Sequence, residues 1–195
     1  GAAQRWLRRR LSAYAGRELG AGALQTGAHG KPALADGAFA FNLSHSGAAA
    51  VLAIARGVEL GVDLETPGRL RPFVALARRY FRPAEARAVA EAAEVARELL
   101  FLRLWTAKEA VLKALGRGLA FGLDRLEFDL SAPPIRLAWI AGDGGDAAGW
   151  QVRALPVAAP RLGHLAWYGE ARQLQCFEDV MPASSTSPDP YQAQL

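Results

Sequence analysis

The chain has 195 residues, 51% of them hydrophobic and 22% charged, which is the profile of a soluble globular protein with one substantial domain or two small lobes sharing a core. No apolar run approaches the roughly 20 residues that span a bilayer, so no membrane partner is expected, and the basic start, Gly1 to Arg10, leads into no signal-peptide stretch. The single cysteine, Cys176, excludes an internal disulfide and points to a reducing cytoplasm, while the net charge of +4 favours an anionic partner without naming it.

Arginine is the default cation. Of 23 basic residues only Lys31, Lys108 and Lys113 are lysines. Lysine presents a compact ammonium that approaches a phosphate as a point charge, whereas arginine presents a wide planar fork.

Trp6, Leu7, Leu11, Tyr14 and Ala15 recur at helical spacing and predict an amphipathic helix over residues 4–19. The glycines between Gly20 and Gly30, with Pro32, mark a loop. Residues 39–43 read as a short strand that ends in a polar turn, Ser44-His45-Ser46-Gly47. Strands at 48–55 and 58–64, joined by Arg56-Gly57, suggest a hairpin. Residues 71–80 are helical, and Pro83 suits the first turn of a further helix. Residues 99–115 form an apolar-striped helix that stops at Gly116. Strand candidates follow at 125–130, 135–140, 151–155 and 163–168, with a turn over 142–149. Residues 181–195, rich in Ser, Pro and Ala, read as a poorly ordered tail. The expected organisation is a first lobe over 1–57, a second over 58–178 and a tail from 179 to 195.

The chemistry starts at Gly61-Val62-Asp63-Leu64-Glu65. Alternate strand residues share a face, so Val62 and Leu64 enter the core while Asp63 and Glu65 project together, about 7 Å apart along the strand. Gly61 lies on their side and leaves room for a ligand. Two such carboxylates can converge on one hard cation, although a solvent-facing strand end has the same pattern. In the helix, Glu109 and Lys113 are four apart and share a face, either as a surface ion pair or as part of a site. Glu109 follows the large Trp105 by one turn, which suggests an enclosed carboxylate. Ser44, His45 and Ser46 can donate to a phosphate, or simply satisfy a turn. Lys31, held between Gly30 and Pro32, is either a positioned cation or a surface bend.

Together, Asp63, Glu65 and Glu109 with one histidine and three lysines compose a site for Mg²⁺ and a multiply charged phosphate. The scattered histidines His29, His45 and His164 and the lone cysteine make no zinc set. No phosphate-binding Gly-x-x-x-x-Gly-Lys-Ser/Thr loop occurs.

Phe41-Asn-Leu-Ser-His-Ser, Gly61-Val-Asp-Leu-Glu and the long block Trp105-Thr-Ala-Lys-Glu-Ala-Val-Leu-Lys-Ala-Leu-Gly-Arg-Gly-Leu closely resemble the signature blocks of the 4′-phosphopantetheinyl transferases. With Gly30-Lys-Pro they point to the Sfp-like branch. The resemblance spans roughly residues 6–168. It implies an α+β fold of two similar small lobes with the active site between them, usually monomeric. It implies transfer of the phosphopantetheine arm of coenzyme A to a serine of an acyl- or peptidyl-carrier protein, with release of 3′,5′-ADP.

Asp63, Glu65 and Glu109 would bind Mg²⁺ with the pyrophosphate. Lys113 and Lys108 would neutralise phosphates, and Lys113 would help the leaving group depart. Ser44 and His45 would hold the 3′-phosphate, Lys31 with Pro32 would flank the adenine, and Glu109 would serve as base. Glu85 resembles a further block, either as a site residue or, the role favoured here, as a stabiliser of a helix N-terminus. Members of this branch carry more chain before the first helix, so the first lobe is expected to be shortened. Arg69, Arg71, Arg78, Arg79 and Arg82 form either a solvated basic face or a dock for an acidic carrier protein. Two other readings compete: a homologue that binds coenzyme A or carrier protein without turnover, and a metal-dependent phosphohydrolase or nuclease. No nucleic-acid partner is expected.

Overall fold

The computed structural model describes residues 2–27, 30–131 and 133–179, so the expected tail at 181–195 and His29 lie outside the described residues. The predicted first helix forms as α1, Ala2–Ala15. Its apolar stripe, Trp6, Leu7 and Leu11, is buried against Leu34, Phe39 and Phe41. The glycine-marked loop contains two short strands that the sequence reading passed over, β1 (Leu24–Thr26) and β2 (Pro32–Leu34), paired antiparallel. Three-residue strands are too short for a period of two to stand out.

β3 (Ala40–Ser46) and β4 (Ala49–Ala55) pair antiparallel, with Ser46 opposite Ala49. Ser44-His45-Ser46 is therefore strand, and the turn is Gly47-Ala48, where Gly47 takes φ +60°. This corrects the expected hairpin around Arg56-Gly57. β5 (Leu60–Glu65) does not pair in a ladder with β4. It pairs antiparallel with β9, about a hundred residues on in the chain.

α2 (Phe73–Tyr80) and α3 (Pro83–Glu91) follow, with Pro83 in the first turn of α3 as expected. α4 (Glu94–Leu115) runs from the surface into the core. From Phe101 onward it is buried nearly all round, which a helix tolerates only when other elements cover every face. Gly116 ends it at φ +69°, the left-handed cap its position predicted. β6 (Leu126–Asp129) and β7 (Arg136–Ile140) form a hairpin packed on α4, and β8 (Trp150–Ala154) joins β9 (Leu162–Tyr168). The class is α+β.

The sheet β5-β9-β8 has two working faces. Leu60, Val62, Leu165 and Trp167 pack towards the β3–β4 hairpin, whose other face carries α1. Gly61, Asp63, His164 and Ala166 occupy the alternate positions, facing α4. Among the described residues, no helix is long and apolar enough to cross a membrane.

Candidate active site

α4 can lie this close to β5 because of Gly61. A Cβ there would stand 2.1 Å from the carbonyl oxygen of Ala110, 2.3 Å from the amide of Ala114 and 2.7 Å from Cβ of Lys113. The space beside Gly61 is thus filled by helix backbone, which corrects the expectation that it makes room for a ligand. The same contact brings Glu109 and Lys113 to the strand face that carries Asp63 and Glu65.

The Lys113 ammonium donates to Oδ1 of Asp63 across 2.6 Å. Asp63 is 6% exposed and Glu109 9%, and Glu65 is half-buried at the strand end. Among the described residues, Oδ2 of Asp63 and Oε1 of Glu109 are buried with no hydrogen-bond partner. Burial, then the charges of Asp63 and Glu65, push Glu109 up to about 7, while Lys113 opposes them. Burial and Asp63 also raise Glu65, against the pull of Arg71, Arg69 and Lys113. Burial works to lower Lys113, but Asp63, Glu109 and Glu65 outweigh it and hold the ammonium above the usual lysine range. The three carboxylates and one lysine thus form a single electrostatic unit with more negative charge than its own cation neutralises.

Ser44 does not reach outwards. It is buried, donates to Oδ1 of Asp63 at 3.0 Å and accepts from the Leu64 amide at 3.1 Å. A hydroxyl so engaged is not presented to a 3′-phosphate, contrary to the expectation. His45, the next residue, is exposed on the other face of β3. Lys31 and Pro32 line a cleft of about 510 Å³ with Phe39, Phe41, Val58 and Gly116. The Lys31 ammonium bonds Glu59 at 2.7 Å and the Leu60 carbonyl at 2.9 Å, so its stem faces the cleft while its charge is held by the strand that leads to Asp63. The cleft borders the end of α4 at Gly116, and its walls do not include Asp63, Glu65 or Glu109.

Lys108 departs from the expected role. It is fully buried, bonds Oε2 of Glu85 at 2.7 Å and the Leu123 carbonyl at 2.9 Å, and also bonds the Leu126 carbonyl. Burial lowers its pKa against the opposing pull of Glu85. No phosphate can reach it there. Glu85 completes the arrangement from the start of α3, accepting from the Arg82 and Phe128 amides at 3.0 and 2.8 Å. At the helix start it supplies the acidic half of a capping box, accepting from the N-cap amide of Arg82, the helix-stabilising role expected of it. The sequence held a signal for this: Lys108 and Lys113 are five residues apart, which puts them about 140° apart around a helix.

The donor set suits a hard cation. Two orphaned carboxylate oxygens on facing elements, with a third carboxylate beside them, are the oxygen ligands Mg²⁺ prefers. Among the described residues, no group of three or more His, Cys, Asp or Glu side chains is already drawn together as a metal site. Lys113 holds the carboxylates in partial neutrality.

The α+β scaffold sets the strand carboxylates Asp63 and Glu65 against the helical Glu109–Lys113 pair. Residues 59–157 match the 4′-phosphopantetheinyl transferase superfamily, and the chain belongs to that family. Among curated relatives, the 4′-phosphopantetheinyl transferase HetI of Nostoc is 36% identical over 64% of this chain and 54% of its own length. The human L-aminoadipate-semialdehyde dehydrogenase-phosphopantetheinyl transferase is 39% identical over 55% of this chain and 39% of its own. The chain therefore spans about half the length of these relatives, or less. A holo-[acyl-carrier-protein] synthase structure from Thermotoga maritima is 22% identical, with a TM-score of 0.48 over 58% of this chain and 65% of that one.

Proposed function

We propose that the protein transfers the 4′-phosphopantetheine arm of coenzyme A to a serine of a carrier protein. The observation that carries this reading is the Asp63–Lys113–Glu109 arrangement, with its two unpartnered carboxylate oxygens. Family membership and the relatives' names support it.

Asp63, Glu65 and Glu109 would hold Mg²⁺, which when bound supplies charge neutralisation at the pyrophosphate. The remaining chemistry falls to the chain's own side chains. Glu109 takes the proton of the carrier serine hydroxyl. The serine oxygen bonds to the β-phosphorus, and the bond from that phosphorus to the bridging oxygen breaks. 3′,5′-ADP leaves with the electron pair. Lys113, kept protonated by its carboxylate neighbours, compensates the charge that grows on the departing phosphate. In this reading the cleft beside Lys31 and Pro32 receives the adenine, and the exposed His45 meets the 3′-phosphate.

The carrier protein docks on the basic segment after β5. Arg69, Arg78 and Arg79 are exposed, and Leu70 is fully exposed among them. Arg82 belongs elsewhere, since it pairs with Glu127 at 3.1 Å and lies over the Trp139 ring.

Mass spectrometry of an apo-carrier protein incubated with this chain, Mg²⁺ and coenzyme A tests the proposal. The expected product has gained one phosphopantetheine arm. Coenzyme A binding without that gain, across acyl- and peptidyl-carrier proteins, would instead mark a non-catalytic homologue.

A further inference from the structure

β5 offers one edge to β9. Along its other edge, side chains of β3 stand where a neighbouring strand's carbonyls would be. The amides of Val62, Leu64 and Thr66 donate to Oδ1 of Asn42 at 2.8 Å, Oγ of Ser44 at 3.1 Å and Oγ of Ser46 at 2.9 Å. All three acceptors are buried alternate residues of one strand, so the period of two aims them at the same edge. Were edge satisfaction their whole role, the three positions would be equivalent.

They differ at the centre. Ser44 also donates to Oδ1 of Asp63 at 3.0 Å and lies 3.4 Å from the Lys113 ammonium. In the described hydrogen bonds, Asn42 and Ser46 reach no carboxylate. A hydroxyl has one proton and two lone pairs. The Ser44 proton goes to Asp63, and its lone pairs face the Leu64 amide and Lys113, so nothing is left to donate to a phosphate. Oδ1 of Asp63 in turn receives two donors, Ser44 and Lys113, while Oδ2 receives none among the described residues.

We infer that Ser44 is a positioning residue for the Asp63 carboxylate. Pinned to the β5 backbone through the Leu64 amide, it fixes the rotation of Asp63 so that Oδ2 is the oxygen offered to a divalent cation. This inference rests on the cation reading given above. Partners that orient a ligating carboxylate typically affect metal affinity 10–100-fold.

The test compares wild type with Ser44→Ala, Ser44→Thr and Ser46→Ala. Ser46→Ala removes an edge acceptor without touching a carboxylate and so reports loss of structure alone. Mn²⁺ affinity is read from the electron paramagnetic resonance signal of the free ion, with no coenzyme A present. Affinities for coenzyme A and 3′-dephospho-coenzyme A are measured separately. Ser44→Ala should weaken Mn²⁺ binding about 10-fold or more. Ser46→Ala and Ser44→Thr, which keeps the hydroxyl, should stay within about threefold of wild type. The ratio of the two coenzyme affinities should not change in Ser44→Ala.

Collapse of that ratio with Mn²⁺ affinity intact would make Ser44 a phosphate ligand and overturn the inference. Equal Mn²⁺ losses in Ser44→Ala and Ser46→Ala would reduce Ser44 to an edge acceptor, which also overturns it. A wild-type chain that binds no Mn²⁺ would bring down the cation reading itself, a result distinct from either.

Discussion

Lys108 and Glu85 meet at 2.7 Å in the core, both fully enclosed, one residue along the helix from the carboxylate assigned as base. Glu85 ties the start of α3 and the β6 backbone to this point, and Lys108 ties the loop before β6. The pair thereby fixes the rotation of α4, and with it the direction in which Glu109 and Lys113 project. Removing one partner leaves a buried charge uncompensated. Lys108→Ala should therefore lose about 3–5 kcal/mol of stability in chemical denaturation. The double variant Lys108→Met with Glu85→Gln should recover part of that loss. If Lys108→Ala matches wild-type stability but loses coenzyme A affinity, the lysine is a phosphate ligand after all.

Gly61→Ala should be disproportionately damaging for so small a change. Its Cβ would collide with backbone atoms of Ala110 and Ala114, which no rotamer change relieves. Overpacking of this kind costs about 1–3 kcal/mol or more. Separation of β5 from α4 should also weaken divalent-cation binding, because Asp63 lies on one element and Glu109 on the other. Unchanged melting temperature and cation affinity would contradict the close-approach role.

Glu109 makes the fold sensitive to pH in a definite direction. Its folded pKa of about 7 lies above its ordinary value of 4.5, chiefly through burial. The unfolded chain thus releases this proton before the folded one does. The stability Glu109 contributes is full below about pH 4.5 and falls as pH rises to about 7, by up to roughly 3 kcal/mol. Glu109→Gln should equal wild type near pH 4 and exceed it at pH 8, while carrier-protein modification falls about 10²–10⁴-fold. A variant less stable than wild type at pH 8 would refute the buried-charge account.

Lys113→Arg should rescue poorly. The lysine reaches Oδ1 of Asp63 as a point donor beside the Ser44 hydroxyl, and a planar guanidinium does not fit the same point. Turnover should drop more than coenzyme A affinity in Lys113→Ala and remain low in the arginine variant. Full activity in Lys113→Arg would show that bulk charge suffices.

Docking through exposed arginines should be screened over a Debye length of about 8–10 Å. Reversing Arg78 and Arg79 to glutamate should raise the apparent KM for carrier protein at low salt and leave coenzyme A affinity nearly unchanged. Added salt should narrow the gap between variant and wild type. Identical carrier-protein kinetics at low salt would place the dock elsewhere.

Sequence alone determined what short-range geometry encodes. The period of two set Asp63 and Glu65 on one face, the four-residue spacing set Glu109 and Lys113 on one helix side, and Pro83 and Gly116 marked a helix start and stop. Those features depend on chain stereochemistry within a few residues. Tertiary structure alone decided that β5 pairs with β9 rather than β4, that Lys108 turns inwards to Glu85, that Gly61 admits a helix, and that Ser44 serves Asp63. Each of these depends on which distant element fills the space beside a residue. A strand edge or a buried ammonium is satisfied by whatever donor or acceptor the fold delivers there, and local periodicity carries no record of that partner.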